Sequence, residues 1–217
     1  MGQNIQTKQF TFSPSLIACS QTMHTVLKCG TAHLHAQLDA LPNVRNLLNK
    51  KLDRTQYRLS LKAYAKAHYP LEQKLIGIEK FLNLGNLPNY IPRLPSLFQD
   101  LLCQADEAPQ HSYISTVSVP IEVSNISHYI GLRYVLEGAS QGSRIIARHL
   151  EKSLPYFANQ TFAFWNVQQQ AAEQWPIYCN YISCPAKSPE YERQMLKAAQ
   201  GAFECFIECF SNFEENI

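Results

Sequence analysis

The sequence predicts an all-α chain folded as a single irregular helical domain. Three observations predict it. Apolar residues recur at helical spacing along most of the chain. Glycine is scarce, with 8 in 217 residues, and the glycine turns that join hairpin strands are sparse. Apolar and aromatic residues make up 46% of the chain, enough for one sizeable core.

The elements follow in order. Residues 1–14 read as a loose tail, and residues 15–217 as the domain. Met23, Val26, Leu27, Leu34 and Leu38 share one stripe, so the first long helix is expected from Ser20 to about Leu38. Leu41-Pro42-Asn43 breaks it, and a short helix carrying Val44, Leu47 and Leu48 follows. Asp53 is the expected N-cap of a longer helix bearing Tyr57, Leu61, Tyr64, Ala65 and His68, interrupted or kinked at Pro70. Asn83 to Pro95 holds three prolines and reads as a loop, with a short helix from Leu97 to Leu102. Residues 112–121 are β-branched, and strand propensity is highest there. Ser127 to about Leu150 is expected as one strong helix, ended by Leu154-Pro155. Residues 161–182 are rich in aromatics and interrupted by Pro176. Tyr191 to Phe213 closes the chain as a helix.

Composition excludes several classes. The formal charge of +2 gives no electrostatic case for nucleic acid. No run is long and apolar enough for a membrane span. Seven cysteines without regular spacing, and no basic-then-apolar leader, read as reduced thiols in a cytoplasmic protein. Met1-Gly2 lacks the Ser or Thr that myristoylation wants, since position 6 is Gln6. Cys184-Pro185 reads as a loop.

Two segments carry candidate chemistry. In Leu27-Lys28-Cys29-Gly30-Thr31-Ala32-His33-Leu34-His35, His35 is a candidate metal ligand or a core histidine. Lys28, two turns earlier at a similar azimuth, would face an anionic group of whatever His35 holds. In Arg133-Tyr-Val-Leu-Glu-Gly138-Ala-Ser-Gln-Gly142-Ser-Arg144, Gly138 and Gly142 lie one turn apart, with Gly131 on nearly the same face. Each glycine costs a helix roughly 0.5–1 kcal/mol relative to alanine. Such a stripe needs a reason: a flat ligand against the backbone, or a second helix.

Together these segments resemble the heme oxygenase family. Leu27-Lys28-x-x-Thr31-x-x-x-His35 with Leu38-Asp39 is similar to its proximal helix. Tyr134-Val-Leu-Glu-Gly138-x-x-x-Gly142-x-Arg144 is similar to its distal helix, in the bacterial biliverdin-producing branch. Ala199-Gln-Gly-Ala-Phe203 and Asp53-x-x-x-Tyr57 fit in order and spacing, so the resemblance spans about residues 20–213.

The resemblance implies a fold with heme b held between the proximal and distal helices, as cofactor and substrate together. It implies His35 as axial iron ligand, and Gly138 and Gly142 as the catalytic backbone beside oxygen. Lys28, Arg133, Tyr134, Ala139 and Phe203 become heme-binding candidates. For Arg133 a propionate contact and a solvated surface charge stand open, and for Phe203 pocket lining or core packing. Heme, O2 and electrons from a reductase or ferredoxin-like donor would yield biliverdin, CO and ferrous iron. Many relatives carry an aspartate where this chain has Ala139, so Ser140, Gln141 or Ser143 would organise the distal waters. The stretch Trp175-Pro-Ile-Tyr-Cys-Asn180 lacks the two basic residues that some relatives set near the propionates. Lys50, Lys51, Arg54, Arg58 and Lys62 form a basic group, either an acidic donor's dock or a solvated helix face. The alternatives are a heme-storing or heme-sensing protein without turnover, and a thiamin-degrading or di-iron relative on the same scaffold. The last would want a set of interior Glu and His that the sequence does not supply.

Overall fold

The computed structural model describes residues 21–103, 121–153 and 162–211. The expected tail at 1–14 and the ambiguous β-branched run at 112–120 lie outside them. Among the described residues the regular structure is helical, apart from one isolated antiparallel bridge between Thr22 and Pro185.

The first helix, α1 (Met23–Ala40), is capped by Thr22, whose hydroxyl accepts from the Thr25 N–H. Its first two N–H groups donate instead to the carbonyls of Cys184 and Ile182, at 2.8 and 3.0 Å. Donors that a helix start leaves unpaired are thereby met from the far end of the chain. Leu41 ends α1, and Pro42 opens α2 (Pro42–Asn46) at its first position, where a proline loses no helical hydrogen bond. The longest helix, α3 (Arg54–Glu79), starts at a reciprocal cap: Asp53 accepts from the Gln56 N–H and the Gln56 side chain accepts from the Asp53 N–H. It runs on through Pro70 as one helix.

A loop then turns at Gly85, whose φ of +59° is the left-handed conformation that glycine adopts without strain. It leads into α4 (Leu94–Cys103), three residues earlier than expected. The helix expected over 127–150 is divided. α5 (Ile126–Gly138) passes through a 3-10 turn, Ala139–Gly142, into α6 (Ser143–Ser153). α7 (Ala163–Ala172) is capped from a distance by Asp100, which accepts from the Ala163 and Phe164 N–H groups at 2.8 and 2.9 Å. Pro176 sits in the first turn of α8 (Trp175–Tyr181), and α9 (Pro189–Ser211) closes the chain.

Two buried clusters form the core. The larger joins α1, the second half of α3, α5 and α9 through Leu27, Leu71, Leu75, Leu132, Leu136, Phe206 and Phe210. The smaller joins the start of α3 to α4, α6 and α7 through Tyr57, Leu61, Leu97, Leu150, Phe164 and Trp165. α1 and α5 both pack against α9. No helix among the described residues is long and apolar enough to cross a membrane, and their cysteines are free thiols.

Candidate active site

The proximal candidate is His35, near the C-terminal end of α1. Its side chain is 63% exposed, and its Nδ1 lies 2.9 Å from Asp39 Oδ2 one turn on. A carboxylate at that nitrogen holds a proton on Nδ1 and leaves the Nε2 lone pair for a ligand. The ring also packs edge-on against Phe203 of α9, 5.7 Å between centroids. Phe203 is buried, so it serves the core and braces the imidazole at once. His35 is therefore not a core histidine. Lys28 is exposed on the same helix.

The distal candidates stand at the end of α5. Tyr134 lies within hydrogen-bonding reach of the Thr31 side chain, and burial raises its phenol above the usual range. This contact joins α1 to α5 one turn before His35 on one helix and one turn before Gly138 on the other. The Tyr134 ring also meets the rings of His24 and Trp175, at 6.3 and 5.7 Å.

The glycines divide into two kinds. A Cβ on Gly131 would sit 1.9 Å from the carbonyl oxygen of Met195, so glycine is required where α5 crosses α9. Gly30 and Gly201 are likewise crowded, by Leu196 and Ile121. A Cβ on Gly138 would meet only Trp175, at 3.8 and 3.9 Å, and one on Gly142 only Ile146, at 3.9 Å. Those are ordinary contacts, and neither residue has positive φ. The stripe expected to serve one purpose serves two: helix crossing at Gly131, and an open backbone face at Gly138 and Gly142. Ala139 is exposed beside them.

Behind that face α5 is fixed by charge. Arg133 is wholly buried; its Nε donates to Glu137 Oε1 at 3.1 Å and its Nη1 to the Tyr129 hydroxyl at 2.7 Å. Arg93, also wholly buried, donates to the other Glu137 oxygen at 2.8 Å. Glu72 completes the set, accepting from Tyr90 Oη, the Arg93 N–H and the Leu94 N–H, and pairing with His68 Nδ1 at 3.0 Å. This overturns one expectation for Arg133: it is not a solvated surface charge. Its Nε and Nη1 are bonded inside the protein, to Glu137 and Tyr129. Glu137 accepts from both arginines, one on each carboxylate oxygen.

The candidates for ordering water differ in kind. Ser140 is tied to its own helix through the Glu137 carbonyl, and Gln141 donates to Ser140 Oγ. Ser143 Oγ and Gln168 Nε2 are buried and find no protein partner among the described residues. Buried groups of that sort are ordinarily met by ordered water. No group of three His, Cys, Asp or Glu among the described residues is placed to hold a metal ion. A cavity of about 350 Å³ between the Ile121 segment and α9, lined by Glu122, His128, Lys197 and Glu208, touches none of the predicted site residues.

Sequence reasoning missed Asp39 as the partner of His35, although its place one turn onward was the available signal. It also missed Trp175, Arg93 and Glu72, for which no local pattern exists.

No curated protein matches the chain. Two solved structures share its fold. Heme oxygenase from Leptospira interrogans superposes with a TM-score of 0.69 at 16% identity, covering 88% of this chain and 99% of that one. Heme oxygenase-1 from the cyanobacterium Synechocystis, solved in complex with heme, gives 0.66 at 14% identity, covering 90% of this chain and 93% of that one. The family model described as heme oxygenase matches residues 21–212, and with it the chain belongs to the heme oxygenase family.

Proposed function

We propose that the chain binds heme between α1 and the Gly138–Gly142 turn and cleaves it, with O2 and external electrons, to biliverdin, CO and ferrous iron. The observation that carries this is the pair Gly138 and Gly142. Neither φ nor neighbouring atoms require glycine there, yet both accept the helix penalty. Backbone left bare without an internal reason is what close approach of a flat ligand needs.

Bound heme supplies the oxygen chemistry and is itself the molecule attacked. The chain's own part is placement. His35 would hold the heme iron through Nε2, its ring oriented by Asp39 and braced by Phe203. Lys28, exposed on the same helix, would face a propionate. Tyr134 lines the side next to α1. The bare peptide groups at Gly138 and Gly142 would border the heme face that binds oxygen, and Ser143 and Gln168, buried without protein partners among the described residues, would order water there in place of the acid that Ala139 lacks.

Electrons come from an external donor. The donor dock we favour joins Lys50 and Lys51 to α6, which exposes Arg144, Arg148 and Lys152 one turn apart. His149 of α6 contacts the Asn49 carbonyl at 2.9 Å, bringing the two basic segments together. A basic surface on a chain of net charge +2 steers an acidic partner. The free thiols suit a reducing cytoplasm.

The test is a hemin titration followed by a reductant in air. A Soret band that appears on mixing and then gives way to a biliverdin spectrum supports the proposal. A stable complex under turnover conditions would indicate a binder instead. His35→Ala should abolish turnover while thermal stability holds, since the side chain is mostly exposed. Native-rate turnover by that variant rejects the ligand assignment.

A further inference from the structure

We infer that Trp175 is the wall that decides how the flat substrate is seated; the inference rests on the heme reading above and adds one residue to it. Among the described residues only Cη2 and Cζ3 of Trp175 come within 4 Å of where a Gly138 side chain would begin. The far edge of the indole thus borders the bare glycine, and the rest of that surround is open.

The indole is held where it is. It stacks on Tyr178, 5.9 Å between centroids at 28°, and Tyr178 is wholly buried with its hydroxyl donating to the Ile130 carbonyl at 2.6 Å. Tyr134 and His24 close the corner on the α1 side, at 5.7 and 6.3 Å from the Trp175 ring. Pro176 fixes the backbone immediately after it. A bulky, rigid edge is therefore presented to one margin of anything laid on Gly138.

A porphyrin is nearly square, so its alternative seatings differ mainly in which substituted edge meets a given wall. Lys28 is placed to face one propionate, but residues 175–180 contain no basic side chain and Arg133 is held by Glu137 and Tyr129, so charge alone does not fix the seating. Shape remains, and an edge that fits worse by a single carbon is disfavoured by about tenfold or more. The seating so chosen sets which bridging carbon faces the bare peptide groups. Trp175 touches the substrate and orients it but moves no proton or electron.

The test uses the full chain with hemin, converted to the ferric cyanide complex, and reads the shifted heme methyl resonances, which report seating without turnover. Wild type should give one dominant set. Trp175→Leu removes the wall and should give two sets of comparable intensity, a mixed biliverdin product and an affinity for hemin lower by about tenfold. Trp175→Phe keeps the stack on Tyr178 but withdraws the far edge; it should show a second, weaker set, and it carries the test should the leucine variant not fold. A single unaltered set in a folded variant overturns the inference alone. A wild-type chain that forms no hemin complex overturns the heme reading, and this inference with it.

Discussion

The two ends of α5 obey different constraints. Its first three turns are locked: Gly131 is jammed against the α9 backbone, and Arg133 and Glu137 are sealed in an ion-pair network with Arg93 and Tyr129. Its last residue and the outward side of the 3-10 turn after it are open, while Ser140 in the same turn is buried. Gly138 and Gly142 meet almost nothing, and Ala139 is exposed. Glycine at Gly131 is explained by the protein's own packing; glycine at Gly138, two turns on and on the same face, is not. The lesson is that a repeated residue on one stripe need not have one cause, and that the functional member is the one that packing leaves unexplained.

The largest expected effect falls on the locked end. Arg133→Ala strands part of the Glu137 charge in the core and should destabilise the fold by about 3–5 kcal/mol in chemical denaturation. The folded fraction should seat hemin as wild type does. A loss under about 1 kcal/mol would mean that the network does not lock α5. Gly131→Ala comes next, at about 2–3 kcal/mol, because the added carbon must push two helices apart. Near-normal stability there would erase the contrast between the two glycines.

Acid should loosen the same end. Burial pushes the Glu72 carboxyl up, but the hydrogen bond and charge of His68 and the N–H groups of Arg93 and Leu94 more than offset this, so it is held below the usual glutamate range. A depressed carboxylate stabilises the fold at every pH above its ordinary value, and that stability is lost as pH falls through the depressed one. Thermal midpoints should therefore hold from neutrality to about pH 5 and drop below about pH 4. Glu72→Gln, less stable at neutrality, should show a shallower drop. An equal drop in both would remove Glu72 from the account.

The smallest effect on stability is expected at Gly138, and it sharpens the comparison most. Gly138→Ala should leave the fold unchanged or raise its stability by up to about 1 kcal/mol, since the helix gains and Trp175 is at ordinary contact distance. Hemin affinity or turnover should fall in the same variant. A gain in stability with unchanged heme chemistry would deprive the glycine of its role.

Much of this was legible in the sequence where the determinant is local. The stripe Met23 to Leu38 marks α1, and the Asp53 cap with Gln56 marks the start of α3. His35 and Gly138 are singled out by the resemblance of their helices to the family's proximal and distal helices, since spacing alone leaves both open to a packing role. The break between α5 and α6 was expected as continuous helix, although Gly138, Ser140, Gly142 and Ser143 are weak helix formers that permit a 3-10 turn there. Pro176 was expected to interrupt and instead initiates, because the chain had already turned at Glu173 and Gln174. The burial of Arg133 was not legible: its i+4 partner Glu137 is visible in the sequence, but the residues that seal the pair away, Arg93, Tyr178 and Glu79, come from distant segments. Trp175 was missed for the same reason: only the fold brings α8 to the end of α5.

One helix carries a consequence for how the molecule comes apart. α3 lends Leu71 and Leu75 to the larger cluster and Tyr57 and Leu61 to the smaller, with Tyr64 touching both. A beam set into two walls cannot leave one without shaking the other. Calorimetry should therefore record a single melting event, in which the half bearing His35 and the half bearing Trp165 are lost together.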